Sequence, residues 1–423
     1  VWSVSHPSDA SRDPRRVVVV GAGLAATQTV AALRERGFDG HVTVLGDEGR
    51  APYDRPPLSK HLLDRREPAW LADELGADLM SLADDVRLAL PAHGLRADDA
   101  AATVATRAGD VTADVVVVAS GARPRRPADW SDALVLHTAA DADVLRARLR
   151  PGTRLVVVGA GWIGAEVAGV AAAAGVEVTV LEAGPAPLSG ALGVTVGGLL
   201  APAFAHAGVR LVTSAQVVDV RGDGVDVVGP AGRERIGADV VLAAVGAGPA
   251  TDWLGDALPR ERSGALRVDE TYRVLGAART VRAVGDVALR RSHRHGWVPP
   301  GHWDGALRGP VALVDDLLGV PGAPADPAPY VFSTQLGHEL TLFGLPGTDD
   351  DVVLRGTPGG TDGWTALWWR PGTDVLTATL TVDRPRDVAA ARRLFGATDL
   401  PRLDPALAAD AGTPLRSALR DQP

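Results

Sequence analysis

The 423-residue chain contains no cysteine. Disulfides, thiolate-bound zinc, cysteine-ligated iron–sulfur clusters within this chain and every dithiol redox mechanism are thereby excluded. Any electron transfer it performs needs a bound organic cofactor. Lysine is almost as scarce: of 43 lysines and arginines one is a lysine, Lys60. Codon bias toward arginine accounts for the scarcity. The alternative reading is that a lysine kept against such bias has a task for a compact, tunable cation that a guanidinium does not perform, and composition alone does not choose between the two. A net charge of −9 argues against nucleic acid as the main partner. No stretch offers about 18 uncharged apolar residues free of helix-breaking glycines, so no transmembrane span is expected. The first 14 residues are polar and lack an apolar h-region, and read as a loose tail rather than a signal peptide. At 46% hydrophobic and 22% charged residues, the chain reads as a soluble globular protein of two or three domains.

What is present is a repeated pattern. Residues 17–20 are a buried-strand run, Gly21-Ala-Gly23-Leu24-Ala25-Ala26 a glycine turn, 27–36 a helix stopped by Gly37, and 41–45 a second strand reaching Asp47. The pattern returns as strand 154–158, the turn Gly159-Ala-Gly161-Trp162-Ile163-Gly164, helix 165–174 stopped by Gly175, and strand 177–181 reaching Glu182. Two further segments match each other: 114–124, which contains Ser-Gly-Ala-Arg123-Pro, and 239–249, which contains Gly246. A short strand at 281–284 ends in Gly285-Asp286. From about residue 325 prolines cluster, and alternating runs at 339–344, 352–354, 364–369 and 375–382 predict an antiparallel sheet with a short helix at 386–395.

A dinucleotide pyrophosphate needs bare backbone N–H groups at the positive end of a helix, and side chains at the glycines would block its approach. An acid at the end of the next strand then receives the ribose hydroxyls. Both copies meet this specification: Gly21, Gly23 and Ala26 with Asp47, and Gly159, Gly161 and Gly164 with Glu182. Two copies imply two dinucleotides, and FAD with a nicotinamide nucleotide is the economical pair. Glu182 would repel a 2′-phosphate, and Ala183, Gly184 and Pro185 supply no arginine to receive one, so NADH is expected over NADPH.

The run Pro52-Tyr53-Asp54-Arg55-Pro56-Pro57-Leu58-Ser59-Lys60 resembles the signature of the FAD-dependent NADH:ferredoxin reductases of cytochrome P450 and dioxygenase systems, which are similar to rubredoxin reductases. The order of motifs across residues 15–397 resembles that family too, ending in Val284-Gly285-Asp286-Val287 and His302-Trp303. The resemblance implies an α/β fold with two Rossmann-like dinucleotide-binding domains and a small C-terminal α+β domain. The FAD domain, 15–126 and 250–325, would be split by an NAD domain at 127–249; the C-terminal domain would span 326–405, with a loose tail at 406–423. Lys60 matches the family lysine beside the flavin and Glu166 the acid that pairs with it, and these two are the expected catalytic residues. Leu24 and Ala25 fall in the pyrophosphate turn, Asp47 matches the FAD ribose ligand, Asp286 the ribityl ligand, and Trp303 a residue lining the flavin ring. Arg55, His93, Arg123 and His137 are further expected FAD contacts; Trp162, Ile163 and Gly246 join the nicotinamide nucleotide site. The sequence departs from the family at His137, where arginine is usual, at Gly301 for glutamate, at Gly309 for glutamine, and at Phe332-Ser333-Thr334 for Trp-Ser-Asp.

The resemblance implies hydride transfer from NADH to FAD and single electrons delivered to a small [2Fe–2S] ferredoxin, in the cytoplasm. Arg290, Arg291, His293, Arg294 and His295 form a basic loop that suits docking of an acidic ferredoxin; its two histidines lack further ligands, and no metal site is expected. Two other classes stay open: an NADH oxidase or quinone reductase with the same cofactors, and a nucleotide-binding interaction protein that reduces little.

Overall fold

The computed structural model describes residues 14–420. The loose N-terminal tail expected for 1–14 therefore lies almost wholly outside the described residues.

Valine runs that carry no polar face form the centre of each parallel sheet, because such sheets are covered on both faces. Arg16–Val20 lies between Val115–Val118 and His41–Leu45, with Val281–Ala283 and Asp85–Arg87 outside them. The strand Val281–Ala283 thus returns to the first sheet from beyond the second module. In the second module Arg154–Val158 lies between Glu177–Leu181 and Val240–Ala243, with Arg210–Val212 at the edge. Leu24–Glu35 packs against Trp303–Leu317, and Arg36 pairs with Asp315 across that contact.

The duplication runs deeper than the glycine turns. Each module carries a three-stranded antiparallel sheet, Ala92–Ala97, Ala102–Thr106 and Gly109–Ala113 in the first, Gln216–Arg221, Gly224–Gly229 and Gly232–Gly237 in the second. The two matching segments noted above pair with each other: Ala122–Pro124 lies antiparallel to Ala247–Pro249.

The C-terminal sheet is antiparallel, ordered Tyr330–Gln335, His338–Gly344, Leu376–Val382, Trp364–Trp369, Asp351–Gly356. Trp364–Trp369 does not alternate because it is buried on both faces. Trp364, Ala366 and Trp368 meet Leu192, Val196 and Leu200 of the helix Ser189–His206, while Leu367 and Trp369 meet Leu394 and Phe395. That helix is the one described helix long and apolar enough to cross a membrane, although it is kinked at Gly193 and contains Pro202.

The chain beyond residue 405 corrects the expectation of a loose tail. The helix Pro405–Ala409 and the turn Leu415–Ala418 are packed, with Leu415 and Ala418 buried. The reason is Arg355, buried at 2% exposure: it pairs with Asp387 at 2.9 Å and donates to the carbonyls of Ala408, Asp410 and Thr413. A buried guanidinium needs such a set of acceptors, and the C-terminal segment supplies three of them. Residues 421–423 lie outside the described residues.

Candidate functional site

The two glycine turns share one geometry. Gly21 and Gly159 hold φ of 120° and 108°, and a Cβ there would lie 2.1 Å from the Ala119 carbonyl oxygen and 2.4 Å from that of Ala244. These two glycines make the turn. Gly23 and Gly161 differ: nothing lies within 4 Å of where their Cβ would be, so the space above them is open. Gly164 serves packing, since its Cβ would fall 2.0 Å from the Gly159 oxygen. Ala26, fully buried, takes the equivalent place in the first copy. Gly23 and Gly161 are the caps of Leu24–Glu35 and Trp162–Ala173, and neither helix has a side-chain cap or an acid in its first turn. Bare N–H groups, a helix dipole and open space together fit a pyrophosphate at each turn.

A side chain at Gly161 therefore tests its role cleanly. Its φ of −77° suits any residue. Gly161→Val should fold normally yet raise KM for the nicotinamide nucleotide by about 5- to 150-fold, the equivalent of about 1–3 kcal/mol of overpacking; steady-state kinetics beside a melting curve reads both.

The acids expected at the ribose positions are placed at the strand ends. Asp47 is exposed and pairs with Arg123 at 2.7 Å. Such a surface pair is worth about 0–1 kcal/mol, so the carboxylate yields readily to hydroxyl donors. Glu182 accepts at 2.7 Å from the backbone N–H of Ala160, inside the second turn, and from that of Gly184. Gly285, beside the first helix, would bring a Cβ within 2.9 Å of Ala25. Asp286 follows it, accepts from Gly301 N at 3.2 Å, and has its pKa raised by burial.

At the centre is a buried ion pair. Lys60, at 12% exposure, donates to Oε1 of Glu166, at 3%. Ser59 Oγ donates to Oε2 at 2.5 Å, and Ser333 Oγ to Oε1 at 2.6 Å. Glu166 lies at the start of the second turn of the helix that opens at Gly161, whereas Lys60 ends the helix Pro57–Lys60. The Lys60 ammonium also lies 5.0 Å over the Phe332 ring. Phe332 meets Trp303 edge-to-face at 5.9 Å, and the Trp303 indole N–H donates to Asp54 at 2.7 Å. Asp54 has its pKa raised by burial. Asp54, Ser59, Ser333 and the Tyr53–Glu48 hydrogen bond were not foreseen as site residues; the Pro-rich run contained the signal for three of them, while Ser333 stood only among the departures.

Other expected residues fall out as follows. Arg55 donates to the His137 carbonyl at 2.5 Å, pairs with Glu48 and covers the Tyr53 ring. Burial, then the charge of Arg55, pushes His137 down to about 4, so it is neutral near pH 7 and does not replace the charge of the family's arginine. His93 is exposed on Ala92–Ala97, and the structure gives it no bond to this group. Ile163 is exposed at 46%, and Trp162 packs between the helix Ser189–His206 and the C-terminal sheet. Gly246 is exposed, and its carbonyl accepts from Arg125 N at 2.8 Å. At Gly309 a Cβ would lie 2.5 Å from the Tyr272 hydroxyl, so the tyrosine occupies the room a longer side chain would need. Burial, then Arg290, pushes His302 down to about 4.

The basic loop is corrected. Arg290 and Arg294 are at 7% and 3% side-chain exposure and both converge on Asp326, itself 7% exposed. Arg294 further donates to the carbonyls of Phe395, Ala397 and Asp326. These cations clamp the C-terminal unit to the loop, and a buried, paired guanidinium does not meet a partner. Only Arg291 of the three is exposed, paired with Glu270.

Known proteins resemble this chain in sequence and in fold. The model of the pyridine nucleotide-disulphide oxidoreductase family matches residues 15–308, and that of the reductase C-terminal domain matches 330–419. The ferredoxin–NAD(+) reductase subunit of a benzene 1,2-dioxygenase system from Pseudomonas putida is 33% identical, over 96% of this chain and 97% of its own length. The equivalent component of an anthranilate 1,2-dioxygenase system from Burkholderia cepacia is 33% identical over 97% of this chain and all of its own. A crystal structure of a covalent putidaredoxin reductase–putidaredoxin complex matches with a TM-score of 0.82 at 26% identity, covering 96% of this chain and 98% of that one. The two modules are therefore Rossmann-like dinucleotide-binding domains, the first completed by a strand from beyond the second, and the chain belongs to the pyridine nucleotide-disulphide oxidoreductase family, among its ferredoxin–NAD(+) reductases.

Proposed function

We propose that this chain takes hydride from NADH and delivers electrons singly to a small [2Fe–2S] ferredoxin that feeds an oxygenase. FAD at the first turn and the nicotinamide nucleotide at the second are the pair the site suits. The observation that carries this reading is the buried Lys60–Glu166 pair: its acid stands on the helix of the second glycine turn, its cation on the segment that follows the first strand–turn–helix–strand unit. Bound FAD supplies the step from two-electron acceptance to one-electron donation. The chain's own residues do the rest. Asp47 and Asp286 would receive ribose and ribityl hydroxyls, Trp303 would line the ring, and Lys60 would hold positive charge where negative charge builds up. Arg308 and Arg392, exposed beside the Trp303–Phe332–Tyr330 aromatic series, are the cations this reading offers an acidic partner. The same reading puts the protein in the cytoplasm, where NADH is regenerated.

Specificity for NADH rests on Glu182. Glu182→Arg should shift the NADH/NADPH ratio of kcat/KM by about tenfold or more toward NADPH, since it removes a ribose acceptor and adds a phosphate partner. An unchanged ratio would refute the assignment. The overall reading is tested by anaerobic mixing with NADH and then a [2Fe–2S] ferredoxin, following flavin and cluster absorbance. Rapid bleaching and then cluster reduction is expected. Bleaching that is relieved only by oxygen or quinone would make the chain an oxidase or quinone reductase, and no bleaching would leave a protein that binds nucleotides without reducing them.

A further inference from the structure

The C-terminal unit touches the centre of the site through one strand. Tyr330–Gln335 is an edge strand of the antiparallel sheet; it pairs on one side with His338–Gly344 and packs against the helix Trp162–Ala173. The close approach depends on Gly169: a Cβ there would lie 2.6 Å from the backbone nitrogen of Leu336. A glycine inside a helix weakens it, and this one makes room for the strand.

At the point of approach Ser333, 1% exposed, donates to Glu166 Oε1 at 2.6 Å. This is the oxygen that also receives the Lys60 ammonium. Ser59 fixes the other oxygen, so one buried carboxylate is held by three donors from two separate segments, the helix Pro57–Lys60 and the strand Tyr330–Gln335. The neighbouring residue of the same strand, Phe332, lies under the ammonium and against Trp303. A carboxylate oxygen pinned by Ser333 fixes where the lysine must sit; without the hydroxyl, Oε1 and Nζ can move as a unit.

We propose that Ser333 is a positioning residue for Lys60, through which the C-terminal unit sets the place of the only lysine charge relative to the cofactor. The proposal rests on FAD lying beside Lys60, as read above. It makes that unit part of the reducing site as well as a surface beside it.

The test uses the full chain loaded with FAD. Ser333→Ala should lower the flavin midpoint potential and slow flavin reduction by NADH about fivefold, the factor that corresponds to one ordinary hydrogen bond. FAD content and KM for NADH should stay at wild-type values. A hydroxyl that is merely structural would change melting temperature and leave the potential alone. Wild-type potential and rate in Ser333→Ala would overturn the proposal. Should that variant fail to hold FAD, Gly169→Ala decides, because it pushes the strand that carries Ser333 from the helix without deleting any polar group. A lowered potential there supports the proposal and an unchanged one overturns it. If wild-type protein cannot be loaded with FAD at all, the functional reading falls first and this inference with it; loaded variants that match wild type overturn the inference alone.

Discussion

Lys60→Met should slow flavin reduction by NADH about 100-fold, the size of loss that follows removal of one preorganised donor from a place where negative charge develops. FAD content should change much less. Methionine keeps the apolar stem of the lysine and deletes only the cation, so packing against Phe332 survives. The deletion also leaves Glu166 at 3% exposure with two serine hydroxyls and no opposite charge. Breaking a buried pair from one side costs about 3–5 kcal/mol, and a lowered melting temperature is part of the expected result. The double variant Lys60→Met, Glu166→Gln separates the effects. Glutamine removes the stranded charge while its oxygen still accepts from a serine, so stability should recover and the reduction rate should not. A single variant that reduces its flavin at the wild-type rate would make Lys60 a structural residue.

The difference between what the chain shows as text and what it shows folded follows the range of the interactions. The glycine turns, the valine strands and the acids at Asp47 and Glu182 are local patterns, with every participant inside one strand–turn–helix unit, and each is visible in order. Trp364–Trp369 was visible as a strand, but its burial on both faces was not, since Leu192 and Leu394 come from distant helices. Ser333 carries no local signal: its acceptor is 167 residues away. The segment after residue 405 looked loose because its composition is poor in large apolar side chains. Its order comes from Arg355, whose donors saturate carbonyls that composition does not display. Lys60 is the opposite case: its rarity and the resemblance of its segment marked it, and the same resemblance pointed to Glu166, 106 residues away.

The loop 290–295 shows the same limit for charge. As sequence it is a cationic patch; as structure it is a clamp, and the two descriptions predict different experiments. Asp326→Ala should cost about 3–5 kcal/mol in urea unfolding, because it leaves the buried guanidiniums of Arg290 and Arg294 without their carboxylate. Burial would raise the Asp326 carboxyl, but bonds from Arg290 and Ser292 and the nearby charges hold it below its ordinary 3.8. A carboxyl depressed on folding contributes stability that is full above pH 3.8 and is lost as pH falls through the lower folded value. Wild type and Asp326→Ala should therefore differ most near neutrality and converge in acid. Arg291→Glu should change stability by less than about 0.5 kcal/mol, as exposed substitutions do. If instead Asp326→Ala unfolded like wild type while ferredoxin KM rose with a steep salt dependence, the loop would be a docking surface after all. The convergence of two guanidiniums, a hydroxyl and an imidazole on one carboxylate argues for the first outcome.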